Sequence, residues 1–308
     1  MRIATFNVQN MRLRHSKAGV LLTGARDGDG PARESAAAKV SDVIDRKLTA
    51  AILREADADV VAMQEVFDRE TLDYFHDRIL LPSGSAPYPF RICLPGNDGR
   101  GYDVALMSRI GLEDVKSHAT LTAKDLGLER EAGDDADEPV FRRDCLSARV
   151  GELTLLVCHF KAPWPDADIA WMTRRLEALA VRRLIERMFP DPASAQWLIL
   201  GDLNEPQNEP RGERATAPLI DDFAVDLVTR LPEDRRWSYH MQDTSIYSRP
   251  DALLASPAFA RRFPNATPLY LRQGLGHEAA RFSGERLHGV GYHRPHASDH
   301  AAIAIDFD

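Results

Sequence analysis

Seven short apolar runs, each closed by polar residues, dominate this chain and restrict the folds open to it. They are Ile3–Val8, Val60–Met63, Val104–Met107, Leu153–Phe160, Trp197–Leu200, Ala252–Ala255 and Ala301–Phe307. Runs this short and this continuously apolar predict strands buried on both faces. Two longer segments follow the helical period. One carries Val40, Val43, Ile44, Leu48, Ala51 and Ile52; the other carries Ile169, Leu176, Leu179, Ala180 and Leu184, with Pro163, Pro165 and Asp166 as a start signal. Buried strands and amphipathic helices together predict a layered α/β protein, read as one domain over residues 1–308.

Loops are expected at Arg26–Arg33, at Glu129–Glu138 with its six acidic residues, and at Gly274–His296. Cys93, Cys145 and Cys158 each fall in a strand-like run, which predicts buried free thiols rather than a disulfide framework. No apolar run approaches the roughly 18 residues that span a bilayer, and Met1–Asn7 reads as a first strand rather than a leader. A cytoplasmic protein with no obligate protein partner is the expectation.

The residues closing the runs carry the chemistry. Four runs are followed by capable side chains: Asn7, then Gln64-Glu65, then His159, then Gly201-Asp202-Leu203-Asn204. Two are preceded by them: Asp251, and Ser298-Asp299-His300. If the last two strands run antiparallel to the first four, all of these meet at one edge, where ligand sites form. Each is an ordinary turn former when taken alone. Assembled, they offer three carboxylates (Glu65, Asp202, Asp299), two carboxamides (Asn7, Asn204) and two imidazoles (His159, His300), with Asp251 behind. Such an oxygen-rich set suits Mg²⁺ or Mn²⁺ better than zinc. A hard cation beside histidines suits phosphoryl chemistry.

Thr5-Phe6-Asn7-Val8-Gln9-Asn10, Met63-Gln64-Glu65-Val66, Cys158-His159-Phe160-Lys161, Leu200-Gly201-Asp202-Leu203-Asn204, Asp251–Pro257 and Ser298-Asp299-His300 occur in that order. Together they resemble the motifs of the endonuclease/exonuclease/phosphatase superfamily, from residue 3 to residue 305. The resemblance implies a four-layer sandwich: two mixed β-sheets packed face to face, with helices outside. It implies that Asn7, Glu65 and Asp299 surround a divalent metal and that Asp202 and Asn204 orient the attacking water or hold a second ion. It also implies that His300, oriented by Asp251, is a base or phosphate binder, and that His159 contacts the scissile phosphate. The sequence departs from the family pattern at Cys158, where an Asn is usual, and at Pro250-Asp251-Ala252, where Ile-Asp-Tyr is usual.

Three further residues are candidates for substrate binding. Arg100 and Asp103 precede the Val104–Met107 run, and Arg143 opens another strand. A solvated strand end is the competing reading for Arg143. Arg174, Arg175, Arg182, Arg183 and Arg187 are expected mostly on the outer face of the second helix, with Glu177 and Glu186 as partners.

The charge sum of −8 excludes a basic footprint over the whole chain. Two substrates stay open for a metal-dependent phosphoesterase: a nucleic-acid phosphodiester, or a small phosphorylated sugar, inositol or lipid head group. A non-catalytic binding module is the third reading, and intact metal carboxylates and Asp299-His300 count against it.

Overall fold

The computed structural model describes residues 1–17, 19–26, 36–130, 137–206 and 210–308. Residues 27–33 and 131–136 of the two expected polar loops lie outside them. The first half of the chain runs β1 (Arg2–Met11), β2 (Leu13–Ser16), β3 (Gly19–Leu22), α1 (Ala36–Ala56), β4 (Val60–Val66), α2 (Arg69–Phe75), β5 (Phe90–Cys93), β6 (Asp103–Ser108) and β7 (Glu113–Lys116). It continues with α3 (Ala123–Leu126), β8 (Cys145–Val150), β9 (Leu153–His159), α4 (Ala167–Met188), β10 (Trp197–Asp202), α5 (Ala217–Ile220) and β11 (Val225–Asp226). Last come β12 (Tyr239–His240), β13 (Tyr247–Ser248), β14 (Asp251–Ala255), α6 (Pro257–Arg262), β15 (Leu269–Leu271) and β16 (Ala302–Asp306).

Among the described residues twelve of these strands build two six-stranded sheets, ordered β15-β16-β1-β4-β6-β5 and β11-β14-β10-β9-β8-β7, while β2 with β3 and β12 with β13 form two-stranded pairs. Each has a parallel pair at its centre, β1 with β4 and β10 with β9. Antiparallel strands flank each pair: β16 and β6 in one sheet, β14 and β8 in the other. Both sheets are mixed, as expected, and the last two motif strands do run antiparallel to the first four. The strands absent from the sequence reading, such as β7 and β11, lie at sheet edges. They are short and partly exposed, so they carry no continuous apolar run.

Strand alternation sorts the core into three layers. Ile3, Val60, Ala62, Leu155, Val157, Leu198, Leu200, Leu253 and Ile303 face between the sheets. Ala4, Phe6, Val61 and Met63 face outward against Leu48, Ile52 and Leu53 of α1. Leu156, Cys158 and Ile199 face outward against Ala178, Val181 and Ile185 of α4. The result is helix–sheet–sheet–helix. The three cysteines are buried and free.

The helices are where the sequence indicates, but their phase differs. Val40 and Ile169 are exposed. The buried face of α4 is Ala170, Trp171, Arg174, Glu177, Ala178, Val181, Leu184 and Ile185. Arg174 and Glu177 therefore sit beneath the helix rather than on its outer face. Only Arg182 and Arg183 have Glu186 as an exposed partner. No described helix is long and apolar enough to cross a membrane.

Candidate active site

The same alternation that builds the core delivers the polar residues. Asn7 shares parity with Ile3, His159 with Leu155 and Val157, Asp202 with Leu198 and Leu200, and Asp251 with Leu253. Each points between the sheets at the end where the apolar filling stops. Register places His159 and Asp251 on either side of Asp202. Gly201 lets β9 and β10 close up there: its φ is +132°, and a Cβ would lie 2.0 Å from the Cys158 carbonyl oxygen.

Glu65 arrives differently. Parity would send it outward with Met63, but the pairing slips between Gln64 and Val66 and Glu65 takes a left-handed φ of 67°. This bulge turns its carboxylate into the cavity.

Asn7 bridges the two sheets. Its Nδ2 donates to Glu65 Oε1 at 3.2 Å and to Asp202 Oδ2 at 2.9 Å. Its Oδ1 accepts the Gln9 N–H at 3.0 Å. The backbone donor fixes the amide's orientation, so Asn7 presents N–H groups to the carboxylates and its oxygen is engaged elsewhere. In this arrangement the Asn7 side chain braces the two carboxylates against each other.

Asp202 Oδ1 accepts the Asn204 N–H at 2.8 Å, and Asn204 Nδ2 donates to the Phe160 carbonyl at 3.0 Å. Burial raises the Asp202 carboxyl, and Asp251 adds to this. His300, Asn7 and Asn204 pull it back, but burial wins and the group is pushed up to about 6.

His300 Nδ1 donates to Asp251 Oδ2 at 2.8 Å, and the Ser238 hydroxyl donates to the same oxygen at 2.6 Å. Its Nε2 lies 3.8 Å from Asp202 Oδ2, and the Tyr239 ring packs 4.9 Å away. Burial alone would lower this imidazole. Asp251, Asp299 and Asp202 outweigh it and raise the pKa well above the ordinary value. His159 shows the opposite outcome. Burial, with Arg143, His300 and Arg100 nearby, drives its pKa well below the usual value. Its Nε2 lies 3.6 Å from Asp202 and 3.9 Å from Glu65, and its buried Nδ1 has no hydrogen-bond partner among the described residues.

Glu65, His159, Asp202, Asn204, Asp299, His300, Arg100 and Arg143 line one cavity of about 510 Å³. Asn7 and Asp251 stand behind its wall. Arg143 is buried, not solvated: it pairs with Asp98 at 3.0 Å and donates to the Phe160 carbonyl at 3.0 Å. Arg100 pairs with the same Asp98. Asp103 does not reach the cavity. It shares parity with Ala105 and Met107 of the helix-side core, and it accepts the Gly96 N–H at 3.0 Å.

The sequence reading missed Ser238, Tyr239, and the wall residues Trp164, Met241 and Ile246. They come from connecting segments with no strand period, so nothing marked them. It also missed Glu177, which accepts the Arg142 N–H at 3.0 Å and the Lys161 N–H at 2.8 Å. One carboxylate thus ties the segments carrying Arg143 and His159. No local signal marked it, since the apolar period places Glu177 on the outer face of the helix.

Three carboxylates converge here, one of them raised by burial, so a divalent cation fits the donor chemistry. Among the described residues, Asp202, Asp251 and His300 form a cluster whose ligand atoms lie within 4.8 Å of one another. Within it, Asp251 Oδ2 is already taken by Ser238 and His300. Glu65 and Asp299 line the cavity itself, and each Glu65 oxygen accepts one hydrogen bond, Oε1 from Asn7 and Oε2 from the Asn10 N–H.

The architecture has parallels among solved structures. An AP endonuclease from Archaeoglobus fulgidus superposes with a TM-score of 0.59 at 16% identity, over 100% of this chain and 99% of that one. A humanized D. rerio TDP2 gives 0.58 at 17% identity, over 100% and 98%. D. rerio TDP2 complexed with a single-strand DNA product gives 0.56 at 15% identity, over 99% and 97%. At these identities the likeness establishes the DNase I-like fold. No curated protein matches the chain by sequence. The model of the Endonuclease/Exonuclease/phosphatase family matches residues 4–300. With the motifs in order on two packed sheets, the chain belongs to that family of phosphoester-hydrolysing enzymes.

Proposed function

We propose that this chain is a Mg²⁺- or Mn²⁺-dependent phosphodiesterase that cleaves a nucleic-acid strand by in-line attack of water, with both sheets in one catalytic domain and the reduced thiols in keeping with the cytoplasm. The observation that carries this is the convergence of Glu65, Asp202, Asp299, His159 and His300 from both sheets on one cavity.

Glu65 and Asp299 hold the cation, and Asn7 braces Glu65 against Asp202. The ion, when bound, neutralises phosphate oxygens and stabilises the charge that develops on them. Asp202 and Asn204 orient the water, a task mostly of positioning. His300 keeps its charge because Asp251 fixes and stabilises the imidazolium, and it donates from Nε2 to a phosphate oxygen. His159 stays neutral beside the phosphate. Arg100 and Arg143 contribute positive potential to the substrate side.

The cavity wall favours a nucleic acid over a small phosphoester. Trp164, Met241 and Ile246 are exposed at the cavity, and aromatic and apolar faces beside a phosphate suit a stacked base. The net charge of −8 favours the small-substrate reading. A panel assay separates them: plasmid DNA, abasic duplex, single-stranded DNA, RNA, bis(p-nitrophenyl) phosphate and small phosphomonoesters, each with Mg²⁺, Mn²⁺ or EDTA. Cation-dependent cleavage of a strand is expected. Full activity in EDTA removes the metal, and turnover of monoesters alone moves the substrate to the small class.

A further inference from the structure

The chain bends sharply just past Asn7. Gln9 and Asn10 both take left-handed backbone, with φ of 50° and 53°, and neither is glycine. Such conformations persist only where the surroundings over-determine them. Three site residues from three segments are tied to this bend. The Gln9 N–H donates to Asn7 Oδ1 at 3.0 Å, the Asn10 N–H donates to Glu65 Oε2 at 2.8 Å, and Gln9 Oε1 accepts the Asp299 N–H at 3.2 Å.

Arg46 of α1 holds the bend from behind. Its side chain is fully buried and does not line the cavity. It donates to the carbonyls of Val8 at 2.5 Å and Gln9 at 2.7 Å, which belong to the bend. It also donates to the carbonyls of Thr23 at 2.6 Å and Gly24 at 2.8 Å, which anchor it. Next to it, Asp45 accepts the N–H groups of Ala25 and His296 at 3.0 Å each, and so ties the segment leading to Asp299 to the same helix. A flat fork with five donors can serve four carbonyls at once, whereas an ammonium cannot.

We infer that Arg46 is a positioning residue for the cation side of the site: by clamping the Gln9–Asn10 bend it pre-sets Glu65 and Asp299 for a divalent ion. This rests on the reading that those two carboxylates hold the ion. The alternative is that Arg46 serves the fold alone.

The test is Mn²⁺ binding to the full chain without substrate, followed by electron paramagnetic resonance, with circular dichroism and thermal unfolding as controls. Four proteins are compared with the wild type: Glu65→Gln, Arg46→Lys, Asn10→Gly and Arg46→Lys/Asn10→Gly. A folded Arg46→Lys is expected to bind Mn²⁺ about 10–100-fold more weakly, the usual loss when support behind a ligand is removed. Glycine adopts the left-handed bend without strain. Asn10→Gly gives up the buried bond from Asn10 Nδ2 to the Arg26 carbonyl at 2.9 Å and is its own baseline: against it, Arg46→Lys should cost about threefold or more less than in the wild-type background, a recovery through coupling that a role in packing alone would not produce.

Wild-type affinity in folded Arg46→Lys, or no recovery with glycine, overturns the inference. Failure of both Arg46 variants to fold makes Arg46 a folding residue and overturns it too. If Glu65→Gln binds Mn²⁺ as the wild type does, it is the metal reading that fails. If Glu65→Gln loses the ion and Arg46→Lys does not, only the positioning role fails.

Discussion

At the end of the first sheet, Glu65 and Asp299 face the cavity; Asn7 and the Asn10 N–H brace Glu65, and Gln9 Oε1 accepts the Asp299 N–H. At the end of the second, His159, Asp202 and Asp251 are buried, and two of their polar atoms, His159 Nδ1 and Asp251 Oδ1, have no hydrogen-bond partner among the described residues. The sheets share one pattern of directions, a central parallel pair flanked by antiparallel strands. Corresponding strand ends therefore deliver different chemistry from the same scaffold. The first offers accessible carboxylates, suited to a hard cation. The second offers desolvated groups, with Asp202 raised and His159 lowered, and its Asp251 pairs with His300 of the first sheet and raises it, so pKa values are pushed apart there, suited to handling protons and oriented water. Behind each sheet a helix places charge on its buried face, Asp45 and Arg46 on α1, Arg174 and Glu177 on α4. Buried charge that hydrogen-bonds to backbone fixes that backbone, and here it fixes the segments carrying the site.

The largest effects should fall on the buried groups gathered around Asp202 and Asp251 at the end of the second sheet, which His300 joins from the first. His300→Ala is expected to lower kcat by about 10²–10⁴, the range for a positioned proton-carrying group. If His300 acts charged, the wild-type rate falls as pH rises through its raised pKa, and that limb disappears in the variant; a rate that climbs through the same range makes it a base instead. Asp251→Asn should lose part of the same factor, and the double variant should be little worse than His300→Ala alone. Additive losses would separate the two residues. Asp202→Ala should likewise lower kcat far more than it raises KM. A pure KM effect would move Asp202 to substrate binding and weaken the division between the sheets.

Next is Glu177, which probes stability rather than turnover. Burial raises its carboxyl to about 7, against an ordinary value of 4.5, despite the N–H groups of Arg142 and Lys161. The folded chain then holds a proton between these values that the unfolded chain releases. Stability should fall as pH rises from 4.5 to 7, by at most about 3 kcal/mol. Thermal unfolding of Glu177→Gln across this range should show a flatter profile. An unchanged slope would mean the charge is fully compensated below α4.

The smallest effect is expected at Asp103, which sits on the wrong face of its strand. Asp103→Asn keeps an acceptor for the Gly96 N–H and should leave kcat and KM within about twofold. A large loss of either would return Asp103 to the site and break the parity argument.

Much of this arrangement is legible in the sequence. The apolar runs fix the strands, and alternation within each run places Asn7, His159, Asp202 and Asp251 on the face between the sheets. The same alternation excludes Asp103, a deduction open to the sequence once each run's inward face is known. Helix existence was legible, but helix phase was not. Val40 and Ile169 look like core and are exposed, while Arg46, Arg174 and Glu177 look like surface and are buried. Their partners are backbone groups of distant strand ends, which no local pattern displays.

What the sequence determined by itself is the set of side chains and the edge at which they gather, because two-residue alternation and strand direction are local properties. What only the tertiary structure decided is where each one points. Glu65 enters the cavity through a left-handed bulge, Asn7 turns its nitrogen inward because the Gln9 N–H claims its oxygen, and Arg143 is drawn from solvent by Asp98 and the Phe160 carbonyl. Each outcome depends on a hydrogen bond or ion pair to a group far along the chain or on a bent backbone. Those contacts exist only once the two sheets have closed on each other.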